Sequence, residues 1–227
     1  MLNDEHFKVL YYEPKSSNVF PNADIKGGVA ITYRDESTSF GPIETFTPYQ
    51  ELNTILKKVK PLTLGTLDSI ISGRGIYKLS KKAIEDYPEI IDLQSKGHKF
   101  DVGSKAFEIL RDTVFFETKP EDENDYVKYL GLLNTKRVYF WTQEKYQNPP
   151  SSFYHYKVFI PQANGSGALG EVISSPLVGE PMVGATETFL SIGDFETKIE
   201  AESCLTYIKT KFARTMLGIL KITQANT

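Results

Sequence analysis

The chain has 227 residues, 40% of them hydrophobic and 24% charged, with a formal net charge of -3 at pH 7. That is enough apolar material for one domain or two small lobes, and it excludes a global positive field, so any nucleic-acid contact must come from local basic patches. The single cysteine, Cys204, excludes an internal disulfide framework and a cysteine zinc site, suits a reducing cytosol, and reads as a small core residue.

No apolar run approaches the length of a membrane span, and the N-terminus, MLNDEHFKVL, carries acids where a signal peptide wants bases. The expectation is a soluble cytoplasmic protein with no membrane partner. FKVLYYEP (7–14) reads as a strand ended by Pro14, and IKGGVAITYRD (25–35) as a second strand. The Gly27-Gly28 pair in the latter predicts a bulge or a close backbone approach. PYQELNTILKKVK (48–60) reads as a helix closed by Pro61. TLDSII (66–71) is a short helical piece or turn, and SGRGIYK (72–78) is a loop. DTVFFETK (112–119) and KRVYFWTQ (136–143) look like half-buried strands. The acidic break PEDENDY between them is the best position for a lobe boundary, near 119–126.

YKVFIP (156–161) reads as a strand stopped by Pro161. A glycine- and proline-rich passage follows from Gln162 to Gly184, and ETFLSIG (187–193) is another strand. The clearest helix closes the chain: Thr197-Lys198-Ile199-Glu200 fits a capping box. Ala201, Leu205, Ile208, Phe212, Met216 and Ile219 fall on one face of it. Strands and helices do not alternate as βαβ units. The expected class is therefore α+β, with mixed or antiparallel sheets and a C-terminal amphipathic helix.

Two short motifs suggest chemistry. Gly165-Ser166-Gly167-Ala168-Leu169-Gly170 fits a dinucleotide fingerprint. The segment after it holds two prolines and several β-branched residues, so no helix N-terminus is available for a phosphate; a glycine-rich surface loop is the simpler reading. Asn148-Pro149-Pro150-Ser151 resembles the N-P-P-aromatic loop of amino-methyltransferases. Ser151 stands where an aromatic should stack on a flipped base, no methyl-donor loop lies upstream, and a proline-stiffened turn accounts for the residues. Asp101 followed by Glu117-Thr118-Lys119 matches the carboxylate-carboxylate-lysine pattern of Mg²⁺-dependent nucleases. Glu196-Thr197-Lys198 repeats the last part at a helix start, so the pattern is cheap. His6, His98 and His155 have no zinc-ligand spacing, and no nucleophile elbow exists.

Charge is more informative. From Ser203 to the end there is no acidic residue, while Lys209, Lys211, Arg214 and Lys221 stand there. Helical spacing puts Lys211, Arg214 and Lys221 opposite the apolar stripe, with the small Gly218 among them. That face is either a phosphate-binding surface or an ordinary solvated basic face. Arg74, Lys78, Lys81 and Lys82 form a second cluster. Asn164 and Ser166 offer amide and hydroxyl groups on the glycine loop, and such groups suit base edges and phosphates alike.

Three blocks, FPNADIKGGVAITYRD (20–35), YKVFIPQANGSGALGE (156–171) and the long run from Ser175 to Gln224, resemble the C-terminal part of bacterial type II restriction–modification enzymes with a TaqI-like adenine methyltransferase. Residues 41–123 match only loosely. The resemblance implies a target-recognition region spanning 1–227, a fragment of a larger protein whose methyl-donor loop and catalytic N-P-P loop lie upstream. Its implied partners are double-stranded DNA and the methyltransferase domain of the same parent chain. The fragment is expected to be non-catalytic and to hold no cofactor or metal, S-adenosylmethionine belonging to the catalytic domain. The expected DNA contacts are Lys26, Arg74, Asn164, Ser166, Lys209, Lys211, Arg214 and Lys221. The alternatives are a Mg²⁺-dependent nuclease lobe using Asp101, Glu117 and Lys119, or a module that docks the methyltransferase domain.

Overall fold

Aromatic and β-branched residues suit a pleated ribbon, and the chain opens with one. Strands β1 (Phe7–Glu13) and β2 (Val29–Arg34) pair antiparallel, with a register shift between Val9 and Tyr11. The computed structural model describes residues 1–22, 25, 27–47, 49–62, 65–163 and 173–220, which divide into two compact units, Met1–Thr66 and Leu67–Thr227.

In the first unit the expected glycine device is present. Gly28 has φ +76, and a Cβ there would lie 2.3 Å from the Glu13 carbonyl oxygen, so no larger residue fits. The Tyr12 hydroxyl donates to the Gly27 carbonyl at 3.0 Å. Helix α1 (Gln50–Val59) has Glu51 in its first turn and Lys57 and Lys58 in its last, each sign on the favourable end of the helix dipole.

In the second unit, short helices α2 (Lys81–Asp86), α3 (Ile90–Leu93) and α4 (Ala106–Ile109) precede the sheets. Strand β4 (Tyr126–Leu133) is the centre of one sheet, antiparallel to β5 (Lys136–Gln143) and parallel to β9 (Val183–Ala185). A second sheet has the order β10-β7-β8, formed by Phe189–Phe195, Tyr156–Pro161 and Leu177–Gly179, all antiparallel. The small strands β3 (Lys78–Leu79) and β6 (Gln147–Asn148) pair with each other. The class is α+β with mixed and antiparallel sheets. Among the described residues no helix is long and apolar enough to cross a membrane.

The main core is aromatic. Phe107 stacks on Phe140 with ring centroids 4.4 Å apart, and Tyr77, Phe115, Tyr129, Phe153, Phe159 and Phe189 belong to the same buried cluster. Gly131 on β4 makes this possible, because a Cβ there would lie 2.4 Å from the Phe107 ring. A second cluster joins Val158, Ile160, Leu190 and Ile192 of the β10-β7-β8 sheet to Ala201 and Ile208. Between them sits Lys157, fully buried, its ammonium donating to the carbonyls of Phe153 (2.9 Å), His155 (3.0 Å) and Glu180 (2.9 Å). Burial pulls its pKa down to about 7, against the opposing charges of Asp194 and Glu180.

Four expectations change. DTVFFETK is not a strand: Phe115 and Phe116 make isolated bridges only, Phe116 to Trp141, after a turn in which Asp112 has φ 60. The actual strand is YVKYLGLL, to which the sequence reading assigns no element; its residues Val127, Tyr129, Leu130 and Gly131 are buried. The passage 162–184 contains β8 and the start of β9. The acidic stretch 119–126 lies inside the second unit, leading into β4.

The capping box forms as expected, with Thr197 and Glu200 exchanging side-chain to backbone bonds. The terminal helix, however, is two helices, α5 (Lys198–Lys209) and α6 (Lys211–Leu220). Thr210 has ψ 152, its N–H closes on the Tyr207 carbonyl, and its Oγ1 accepts from the Ala213 N–H at 3.1 Å. Ser, Thr and Asp side chains commonly trade helix continuation for this local bond. The break turns the expected face: Phe212 is exposed, and Leu217 rather than Met216 or Ile219 packs on the second core.

Candidate nucleic-acid interface

The second unit places Arg74, in the loop before β3, beside Glu187, in the turn before β10. Nε and Nη2 of Arg74 donate to one Glu187 oxygen at 3.1 and 2.6 Å. The Glu187 side chain is 12% exposed and the Arg74 side chain 57%. A largely buried carboxylate therefore fixes the plane of a guanidinium that still faces solvent. Both line a cavity of about 480 Å³ with Ser104, Arg137, Gln162 and Thr188. Arg137 lies over the Phe189 ring, 5.2 Å from its centroid, and donates to the backbone carbonyls of Ser174 and Ser175.

Sequence reasoning missed Arg137. A signal was available: β4 and β5 are joined by the two-residue turn Asn134-Thr135, with φ 48 and 65. Two-residue hairpin turns favour Asn-Gly there, and a β-branched residue at positive φ is costly. Thr135 lines the same cavity, so the strained turn, the two arginines and Gln162-Ala163 meet at one place.

Among the expected contacts, Lys26, Asn164, Ser166 and Lys221 lie outside the described residues, as does the whole Gly165–Gly170 motif. Of the segment that leads into that loop, Gln162 and Ala163 line the cavity beside Arg74. The cluster around Arg74 is mostly neutralised: Lys78 pairs with Asp101 at 2.5 Å and Lys82 with Asp86 at 2.6 Å. Lys209 and Lys211 are exposed and Arg214 is half-buried. Among the described residues no carboxylate lies within ion-pair distance of any of these three.

The nuclease pattern does not assemble as spaced. Glu117 pairs with Arg111 at 2.7 Å, and Lys119 sits over the Trp141 ring. Asp101 instead meets His98 and Glu187, with candidate ligand atoms within 4.8 Å of one another. Lys78, His98 and the neighbouring hydrogen bonds hold the Asp101 carboxyl below its usual range despite the desolvation that opposes them. With Lys78 and Arg74 already on these carboxylates, the group is closed as an ion-pair network.

Asn148 of the N-P-P segment is tied into the β3–β6 pair, and Pro150 precedes a single 3-10 turn, Ser151–Tyr154. Ser151 and His155 both bond Asp194, so the hydroxyl meets the carboxylate and the imidazole is not placed as its base. Cys204 is half-buried, and burial pushes its thiol up, away from nucleophilic use.

Compared with protein-family models, curated proteins and solved structures, the chain matches none.

Proposed function

We propose that the chain is a duplex-DNA recognition module that works beside the adenine-methyltransferase domain of a restriction–modification enzyme, does no chemistry itself, and acts in the cytoplasm. The observation that carries the reading is the uncompensated charge at the C-terminal helices. Lys209, Lys211 and Arg214 have no carboxylate partner among the described residues, and no acid follows Ser203 in the sequence. Cations left unpaired on an otherwise slightly acidic chain are suited to phosphates. The cavity beside Arg74 adds a guanidinium held in a fixed plane by Glu187, whose remaining donors suit guanine edges or phosphate oxygens, while Arg137 is tied to the Ser174 and Ser175 carbonyls. The three blocks that resemble restriction–modification enzymes point the same way, and in that reading S-adenosylmethionine stays with the catalytic domain.

The test is binding of the purified chain to mixed-sequence duplex DNA over a salt series. Each lost phosphate contact should lower the slope of log affinity against log salt by about 0.9. Lys211→Ala with Arg214→Ala should therefore flatten it by about 2. A slope unchanged in the double variant would remove the terminal helices from the interface. If no binding is seen even at low salt, alone or with an adenine-methyltransferase domain added, the DNA reading fails.

A further inference from the structure

The ribbon of the first unit is short of cover. Strands β1 and β2 form a sheet of two strands only. Of the described residues of that unit, only Phe7, Ser16 and Thr47 are buried. An isolated two-stranded ribbon is marginal in water, and a unit this small needs a larger core, a staple or a partner. The single cysteine lies at position 204, so no disulfide staples this unit.

The two edges of the ribbon are guarded differently. Beside the start of β1 the chain returns: the Phe40 N–H donates to the Glu5 carbonyl at 2.6 Å. Farther along, Phe46 packs edge-on against Tyr12, ring centroids 5.2 Å apart. β1 also carries Lys8 and Glu13, has one residue too many between Val9 and Tyr11, and runs into Pro14. Charges, bulges and prolines are the devices that keep an edge from pairing with another chain. Strand β2 holds no lysine, proline or bulge, and among the described residues its backbone bonds go to β1 alone. Its one charge, Arg34 at the end, is taken by Asp4 at 2.9 Å and Glu36 at 2.7 Å. Ile31 is 55% exposed and Tyr33 44%, with Tyr11 of β1 opposite Ile31 at 49%.

Charge and symmetry decide which partner fits. Residues Val29 to Tyr33 are uncharged, so a charged segment gains no ion pair there, while two copies meet without repulsion. A two-fold axis between antiparallel strands of one sheet keeps every side chain on its own face, so one residue must lie opposite itself. Centring on Thr32 draws Arg34 into the ladder, and centring on Ala30 draws in Gly28, whose φ is +76. Centring on Ile31 uses only the uncharged strand residues and sets a β-branched side chain opposite an aromatic one, a favourable cross-strand pair.

We propose that β2 pairs antiparallel with β2 of a second copy of this chain, Ile31 opposite the partner's Ile31 and Val29 opposite the partner's Tyr33, so that two ribbons become one four-stranded sheet. Opposed residues alternately exchange two bonds, which gives about four to six new backbone hydrogen bonds. With the side chains they bring together, the contact covers on the order of 1,000 Å² in total, the lower bound of a specific interface. The expected dimer is therefore weak and reversible. It is independent of the DNA reading, which rests on cations of the second unit.

The experiment is sedimentation velocity of the whole chain from micromolar to several hundred micromolar. Wild type should pass from monomer to dimer across that range. Ile31→Lys, at an exposed position where folding is not at risk, sets two ammoniums opposite each other and should weaken the dimer by about tenfold or more. Ile31→Glu should do the same. An equimolar mixture of the two variants should recover the dimer, because position 31 then faces its opposite charge; loss of fold in either variant could not produce that recovery. A wild type that stays monomeric throughout, an Ile31→Lys chain that dimerises as wild type does, or a mixture no more dimeric than its components overturns the pairing.

Discussion

The cavity beside Arg74 and the cavity beside Gln147 are both rimmed by charge and share a support. Phe189 lines the first, Phe153 the second, and both rings belong to one aromatic core. They differ in how their polar groups are closed. Beside Arg74 the charged groups are already engaged: Glu187 takes two donors, and Arg137 spends its guanidinium on two carbonyls. Beside Gln147 three exposed carboxylates form no ion pair among the described residues, while the unpartnered Gln143 and Gln147 amide oxygens are sealed from solvent. The first cavity is thus preorganised and needs no ligand to complete it, so its ligand has to use donors left over at the rim. The second keeps an acidic rim open to solvent.

The largest effect is expected in the shared support. Phe107→Ala, which empties the stack against Phe140, should cost about 3–5 kcal/mol in chemical denaturation. A cost below about 1 kcal/mol would mean the aromatic core is not what holds the two walls.

Next comes Lys157. Lys157→Met keeps the length and leaves three carbonyls without their donor, and a loss of about 2–4 kcal/mol should follow. The same residue gives a pH signature. Its folded pKa lies near 7 against an ordinary value of 10.5, so between those values the unfolded chain binds more protons than the folded one. Stability contributed by this group therefore rises as pH goes from 7 towards 10.5, and is lowest and constant below about 7, where both states hold the proton. The slope measured in denaturation should be shallower in Lys157→Met; an identical slope would show that the ammonium is not destabilised by burial.

The two cavities part at Glu187. Glu187→Gln frees Arg74 and should lower discrimination between DNA sequences by about 1–3 kcal/mol, measured in competition binding. Unchanged discrimination would show that Glu187 does not set the plane in which Arg74 meets DNA. The smallest effect is at the helix break. Thr210→Ala removes the cap of α6 and should cost about 0.5–1 kcal/mol in thermal unfolding.

Local chemistry was legible wherever it acts through neighbours in the chain. The capping box at Thr197–Glu200, the Gly28 close approach, the strands β1 and β2 though not their pairing, α1, β5, β7 and β10 can all be read from period, caps and breakers, as can the α+β class. The same rules failed at YVKYLGLL. That strand is buried on both faces from Tyr129 to Gly131, so its alternation is lost there, and the neighbouring DTVFFETK shows a better pattern without having a partner along its length. They failed again at Thr210, where one side chain both ends a helix and starts the next.

Of the site, sequence alone singled out Arg74 and the unpaired cations of the C-terminus, because unopposed charge is visible in composition. It could not show that Lys78 and Lys82 are neutralised, since Lys78 finds its partner Asp101 far along the chain and Lys82 finds Asp86 only once the helix forms. Nor could it show that Arg137 joins Arg74 at one cavity, that Lys157 is buried on three carbonyls, or that Gln143 and Gln147 keep buried acceptors without a donor. Burial and pairing across long loops are properties of the packed chain, and they decide which polar groups remain free to bind.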